Sequence, residues 1–166
     1  MNVPVRSAGE GEPLRMGALK WPAMSADHAQ TLNTSLDGWC RAMDLRFLRV
    51  TVDEVVAELT VGLQHRQPHG IVHGGVYTGV IETVASMGAS LDAMSRGQIA
   101  VGLENHTSFL RAVRDGTLTA TARPLVRGRR SQVWEATITT AEGKVAARGT
   151  VRLLCVDPAD VAARKS

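Results

Sequence analysis

Aromatic side chains are scarce in this chain of 166 residues, which has two phenylalanines, one tyrosine and three tryptophans. Any aromatic contact to a ligand must therefore come from Phe47, Phe109, Tyr77, Trp21, Trp39 or Trp134. Cysteine is almost missing. Cys40 and Cys155 form no metal or redox motif, so reduced thiols in a cytosolic protein are expected. No apolar run approaches the ~18 residues of a membrane span, and residues 1–21 lack the apolar core of a secretory signal. A cytoplasmic, non-membrane protein is expected, which leaves the Asn33-Thr-Ser and Asn105-His-Thr sequons without meaning. There is no Walker or dinucleotide-binding motif, no internal repeat and no low-complexity segment. A strong charge of one sign is also lacking. The formal net charge of +3 is too small to indicate nucleic acid but suits an anionic small molecule.

What is present is a globular composition, 44% hydrophobic and 21% charged, at a length that fits one domain with a sizeable core. Residues 1–24 are rich in Gly, Pro and small side chains without periodicity and read as a loosely ordered extension. Residues 25–156 form the domain and 157–166 a C-terminal tail. Ser25 is a candidate N-cap for a short helix ending near Cys40. Strands are expected at Leu45–Val50 and Val55–Val61, then a loop with Pro68 and Gly70, then a helix from Gly74 to about Met94. Four more strands follow: Ile99–Leu110, Thr117–Leu125, Ser131–Thr140 and Val145–Val156. Their turns fall at Asp115-Gly116, Arg127-Gly128 and Glu142-Gly143. The even spacing predicts an antiparallel meander. A long apolar helix among about six strands must be covered, so the expected class is α+β, a curled antiparallel sheet wrapped around one central helix.

That helix carries the functional signal. From Val76 to Leu91 its only ionisable side chains are Glu82 and Tyr77. Tyr77, Val80, Val84, Met87 and Leu91 make a core stripe, whereas Gly75, Gly79, Glu82, Ser86 and Ala89 make a second line of small residues interrupted by one carboxylate. An unpaired buried carboxylate is costly, so Glu82 needs a reason, and acid–base or nucleophilic work is one. Ser86 lies one turn further on the same side. His73-Gly74-Gly75 opens the helix and presents unpaired N–H groups at its positive end, where they can polarise a carbonyl or hold an oxyanion. Gly74 and Glu82 are eight residues apart, about 12 Å along a helix. If both act at one reaction centre they must come from different chains, which predicts a symmetric dimer with two shared sites.

Gln67-Pro-His-Gly-Ile-Val-His73-Gly74-Gly75, Glu82 with Ser86, Val101-Gly102 and Asn105-His-Thr-Ser-Phe-Leu-Arg111 together resemble the hotdog-fold acyl-CoA thioesterases. The similarity runs over roughly residues 40–155. It points to the PaaI-like group and its 4-hydroxybenzoyl-CoA thioesterase branch, in which the acidic residue lies on the central helix. The resemblance implies that the Gly74 N–H polarises the thioester carbonyl, that Gln67 assists, that His73 helps hold the loop, and that Gly75 borders the bound substrate, where a glycine keeps access open. Glu82 would attack the carbonyl or activate water, and Ser86, where the branch often has Thr, would keep a hydroxyl for orienting water. Arg111 would lie near the CoA phosphates. Arg127, Arg129 and Arg130 form a basic turn suited to phosphate, with Arg129 and Arg130 as candidate CoA contacts. The resemblance also implies a homotetramer built as a dimer of dimers, an aryl, arylacetyl or medium-chain acyl substrate, and no cofactor beyond the CoA of the substrate.

His65, His69 and His73 have no Cys or carboxylate partner nearby in sequence, so no metal site is expected. Asn105 and His106 are adjacent in a strand and must face opposite ways, which assigns them structural hydrogen bonds rather than a joint catalytic role. Two alternatives stay open: a hotdog dehydratase or hydratase acting on a β-hydroxyacyl thioester, and a non-catalytic acyl-CoA-binding module.

Overall fold

The computed structural model describes residues 26–36 and 38–162, so the N-terminal extension and Ser25 lie outside the described residues. The element order is α1 (Ala29–Ser35), α2 (Gly38–Ala42), β1 (Arg46–Val50), β2 (Val55–Thr60), α3 (Gly74–Met94), β3 (Ile99–Phe109), β4 (Thr117–Arg127), β5 (Ser131–Thr140), β6 (Val145–Val156) and α4 (Pro158–Ala162). Six strands form one antiparallel sheet, and α3 packs on its inner face against β2, β3, β4, β5 and β6. This is the expected helix-in-sheet arrangement.

Two expectations are corrected. The first helix does not run unbroken to Cys40. It starts at Ala29, where Asp27 Oδ1 accepts the Ala29 N–H (2.9 Å). It stops where Leu36 turns extended and Gly38 takes a left-handed φ of +57°. The strands are also not a simple meander, because their order is β1-β2-β4-β5-β6-β3. Only β4, β5 and β6 meander. The crossover α3 carries the chain to the far edge, where β3 pairs with β6, and the chain returns so that β4 lies beside β2. Sequence neighbours are not obliged to be sheet neighbours, and alternation within a strand does not encode its partner.

Along α3, Tyr77, Val80, Val84 and Leu91 are buried and Met87 half-buried, and Val76, Ile81, Ala85 and Ala89 are buried beside them. The helix is covered almost all round, as its lack of charge requires. Its C-terminal half is pinned by a buried polar cluster. Gln132 donates from Nε2 to Asp92 Oδ2 (2.9 Å) and to the Ala89 carbonyl (3.2 Å), and accepts from Trp134 Nε1 (2.9 Å). Arg96 completes the cluster with a 2.7 Å bond to Asp92. Gly88 has no side chain because the Trp134 ring occupies that space. Under the first turns of α3, pairing aligns one row across the sheet, Phe47, Ala57, Ala120, Ile138, Ala147 and Phe109.

The two edges of the sheet differ. The β1 edge is closed by the segment before it. Asn33 Nδ2 donates to the Phe47 carbonyl (2.7 Å) and Asn33 Oδ1 accepts the Phe47 N–H (2.9 Å), while Asp27 Oδ1 accepts the Val50 N–H (2.9 Å). Nothing among the described residues pairs with the outer edge of β3, which exposes Val101, Leu103 and Phe109. Among the described residues no helix is long and apolar enough to cross a membrane.

Replacing Gln132 with Ala strips Trp134 and Asp92 of their partner inside the core. A loss of about 2–4 kcal/mol in unfolding free energy is expected, read by urea denaturation; a loss below about half a kcal/mol would mean that the cluster does not pin α3.

Candidate active site

Two polar features lie apart along α3. The first is its N-terminus. The loop before it is fixed by backbone bonds from Gln67 to Ile71, Gly70 to Gln67, Val72 to Val113 and His73 to His65. His73 is the N-cap, and its Nδ1 accepts the Gly75 N–H at 2.8 Å. This corrects the expectation of several open donors at this end. The Gly75 N–H is taken by the histidine ring, and the Val76 N–H goes to the His73 carbonyl. The Gly74 N–H has no acceptor among the described residues and is the open donor of the turn. A side chain at Gly74 would require the Phe109 ring to shift. A Cβ there would fall 2.6 Å from Cε2 of Phe109, whose ring stands against it. Gln67 accepts the His69 N–H through Oε1 (2.9 Å), which leaves its Nε2 without an acceptor among the described residues.

The histidines are spoken for separately. His65 is fully buried, with Nδ1 accepting the Gly62 N–H (2.8 Å), so Nε2 carries the proton and donates to the Met43 carbonyl (3.0 Å). His69 is exposed, and its carbonyl accepts from Arg114 (3.1 Å).

The second feature is the Glu82 carboxylate, half-buried between α3 and β3. Ser86 Oγ donates to Oε1 (3.2 Å) and Asn105 Nδ2 donates to Oε2 (2.9 Å). Asn105 also donates to the Thr78 carbonyl (3.2 Å), and its Oδ1 accepts from Thr107 Oγ1 (2.7 Å). The Glu82 carboxylate and the Thr78 carbonyl can only accept, which fixes the amide nitrogen of Asn105 toward them and leaves its oxygen for Thr107. Glu82 Oε1 lies against the Cα of Gly102, where a side chain would collide with it. The β3–β6 register slips between Gly102 and Glu104, so a bulge sits where the carboxylate passes. Glu82 is thus a carboxylate with its hydrogen bonds supplied, which is the reason the sequence demanded.

Asn105 and Gly102 are the site residues that residue-by-residue reading undervalued. Asn105 and Thr107 face the helix and His106 faces out, as strand alternation requires. The signal available in the sequence was the two-residue spacing of Asn105 and Thr107, which puts an amide and a hydroxyl on one face of a strand.

Not all the expected residues converge within one chain. Arg111 follows β3 at the end that touches Gly74, and it is exposed. Arg129 and Arg130 sit in the β4–β5 turn, beside Ser131, which pairs with Leu154 next to the Ile99 end of β3. The length of β3 separates the two groups, about 30 Å for an eleven-residue strand. Arg127, grouped with the basic turn in the sequence, is ion-paired with Asp53.

Replacing Gly102 with Ala should push the Glu82 carboxylate off Asn105. A crystal structure of the variant is expected to show the 2.9 Å Asn105–Glu82 bond broken; an unmoved carboxylate would show that the seat has slack.

Comparison with known proteins agrees with this geometry. Residues 69–147 match the thioesterase superfamily, a span that contains both polar features. A Mycobacterium tuberculosis protein that carries an esterase name, Rv1847, is 43% identical over 113 residues, covering 67% of this chain and 81% of that protein. The proofreading thioesterase EntH of Cronobacter turicensis is 33% identical over 111 residues, covering 67% of this chain and 80% of that enzyme. The crystal structure of thioesterase HI1161 from Haemophilus influenzae superimposes with a TM-score of 0.75 at 30% identity, covering 81% of this chain and 94% of that one. With its six-stranded antiparallel sheet around one central helix, the chain is a hotdog-fold protein and belongs to the thioesterase superfamily.

Proposed function

We propose that this protein hydrolyses acyl-CoA thioesters to the free acid and CoA, with Glu82 and the Gly74 N–H as its reacting groups. The observation that carries the proposal is the pairing of a seated carboxylate with one open N–H at a helix N-terminus. The Gly74 N–H polarises the thioester carbonyl. Glu82 then takes a proton from water, whose oxygen attacks the carbonyl carbon, or it attacks the carbonyl itself and forms an acyl–Glu82 anhydride that water hydrolyses to the free acid after CoA has left. The C–S bond breaks, and the departing CoA thiolate takes up a proton. Ser86 and Asn105 hold the carboxylate, and Gln67 and His73 hold the loop that aims the N–H. The chemistry requires neither a metal nor a redox cofactor.

About 12 Å of helix separates the two groups, so one carbonyl cannot reach both in a single chain. A two-fold dimer removes the difficulty. The open edge of β3, with its exposed apolar side chains, is the surface suited to pair with its own copy. Antiparallel pairing of two β3 strands sets the two α3 helices antiparallel and brings Glu82 of the partner subunit beside Gly74. By the same geometry Arg111 of one chain approaches Arg129 and Arg130 of its partner, which is the arrangement a CoA nucleotide would use. The finer assignment is to the PaaI-like, 4-hydroxybenzoyl-CoA thioesterase branch, assembled as a homotetramer in the cytoplasm, with aryl, arylacetyl or medium-chain acyl substrates.

Glu82→Gln keeps the shape of the side chain and removes its base. CoA release from a panel of aryl-, arylacetyl- and straight-chain acyl-CoAs is expected to fall about a hundredfold to ten-thousandfold with the melting temperature held. Full turnover in the variant would end this mechanism. Sharing of sites has its own test. Gly74→Pro removes the open N–H at a position where helices accept proline. Each single variant should be inactive, and mixed dimers of Glu82→Gln with Gly74→Pro should regain turnover; mixed dimers without activity would overturn the shared site.

A further inference from the structure

His65 has no part in the chemistry proposed above, yet it is fully buried and both of its ring nitrogens are bonded to backbone. Nδ1 accepts the Gly62 N–H (2.8 Å), which closes the turn over Leu63–His65. Nε2 donates to the Met43 carbonyl (3.0 Å). That carbonyl needs a donor. At the end of α2 the carbonyls of Trp39, Cys40 and Arg41 accept the N–H groups of Met43, Leu45 and Asp44, whereas the Met43 carbonyl has no backbone partner among the described residues. A leucine at position 65 would fill the space and leave both backbone groups unpaired. Asp44, at a left-handed φ of +48°, ties the same two segments a second time by accepting from Gln64 Nε2 (2.8 Å).

The ring bonds decide where the backbone of His65 sits, and that backbone reaches the reaction centre. The His65 carbonyl accepts the His73 N–H at 2.8 Å. The His73 carbonyl in turn accepts the Val76 N–H, and its Nδ1 accepts the Gly75 N–H. The open Gly74 N–H lies in the rigid peptide plane between His73 and Gly74, so these bonds to His73 set the direction in which it points. On the other side of His65, α2 is a fixed base, because the Trp39 ring stands against Gly79 of α3. The connections close on themselves. α3 seats α2, α2 holds the imidazole, and the carbonyl of the same residue holds the turn that opens α3.

We propose that His65 is a positioning residue for the hydrolysis, keeping the Gly74 N–H in line with the thioester carbonyl without touching the substrate. The proposal rests on the thioesterase reading above. A donor aimed at a developing oxyanion loses its effect when it is turned or displaced by a fraction of an ångström. Such a loss is confined to the transition state, so it lowers kcat and leaves KM close to its original value.

Three variants separate the ring bonds. His65→Leu keeps the bulk and removes both, His65→Asn keeps an acceptor for the Gly62 N–H, and His65→Gln keeps a donor for the Met43 carbonyl. Each is assayed on the acyl-CoA that wild type hydrolyses fastest, with rates normalised to the folded fraction read by circular dichroism. For His65→Leu, kcat is expected to fall about tenfold to a hundredfold, with KM within about threefold. His65→Asn and His65→Gln are each expected to recover part of that loss, and they carry the comparison with wild type should His65→Leu fail to fold. A second readout needs no turnover. The carbonyl stretch of the same ester bound to Glu82→Gln, followed by difference infrared spectroscopy, is expected below its value in free ester, and adding His65→Asn or His65→Gln should shrink that downshift by about half. Folded variants with unchanged kcat, a loss seen only in KM, or an unchanged downshift overturn the role of His65 and leave the thioesterase reading standing. No hydrolysis of any ester by wild type overturns that reading, and the His65 assignment with it.

Discussion

One charged group on a covered helix sets the terms for the structure around it. The desolvation of a carboxylate costs several kcal/mol unless hydrogen bonds replace the water it loses. α3 supplies only Ser86 from its own length, so the rest must come from β3. That requirement explains an amide at Asn105, a hydroxyl at Thr107 to orient it, no side chain at Gly102, and a bulge between Gly102 and Glu104. None of these four features packs a core. Each makes room for Glu82 or holds it. Placing an edge strand against the charged side of the helix follows from the same need, because an edge strand can bulge without disturbing a neighbour beyond it.

The parts of this fold that local chemistry decides were legible in the sequence. The bounds of α3 follow from His73-Gly74-Gly75 at one end and Gly97 at the other, and three of the four later strands begin where an Asp-Gly, Arg-Gly or Glu-Gly turn releases the chain. Parts decided by distant partners were not legible. Nothing in β3 says that it will pair with β6 rather than β4. Nothing around Ser25 says that Asp27 will accept the Ala29 N–H at the start of the first helix while also bonding to Val50. The candidate site divides in the same way. Glu82, Ser86 and Gly74 announce themselves because they break the composition of a helix. Asn105 sits in an ordinary polar strand, and its value depends on which helix residue faces it. The open donors expected at Gly74 and Gly75 were reduced to one because a side chain just upstream, His73, turns back on the turn it starts.

The two edges of the sheet differ in kind among the described residues. Asn33 meets Phe47 with a carboxamide that donates and accepts in the manner of a backbone peptide, so β1 ends in a bonded surface. Among the described residues β3 ends in unpaired backbone and exposed Val101, Leu103 and Phe109. With one edge closed and one open among the described residues, the dimer proposed above would not propagate through the sheet into a longer array.

The strand order also governs the timing of folding. β2 pairs with β4 across the whole of α3 and β3, with Val55 opposite Ala122, and β3 pairs with β6 across β4 and β5, with Ile99 opposite Val156. Contacts this far apart close slowly, because the intervening chain must be ordered first. During synthesis the apolar helix is complete at Met94, while the strand that joins β5 to β3 is not complete until Val156. The nascent protein therefore carries an incompletely covered hydrophobic helix while nearly half of the domain is still to be made, and a chain ending short of β6 would lack the strand that joins β3 to the rest of the sheet over it.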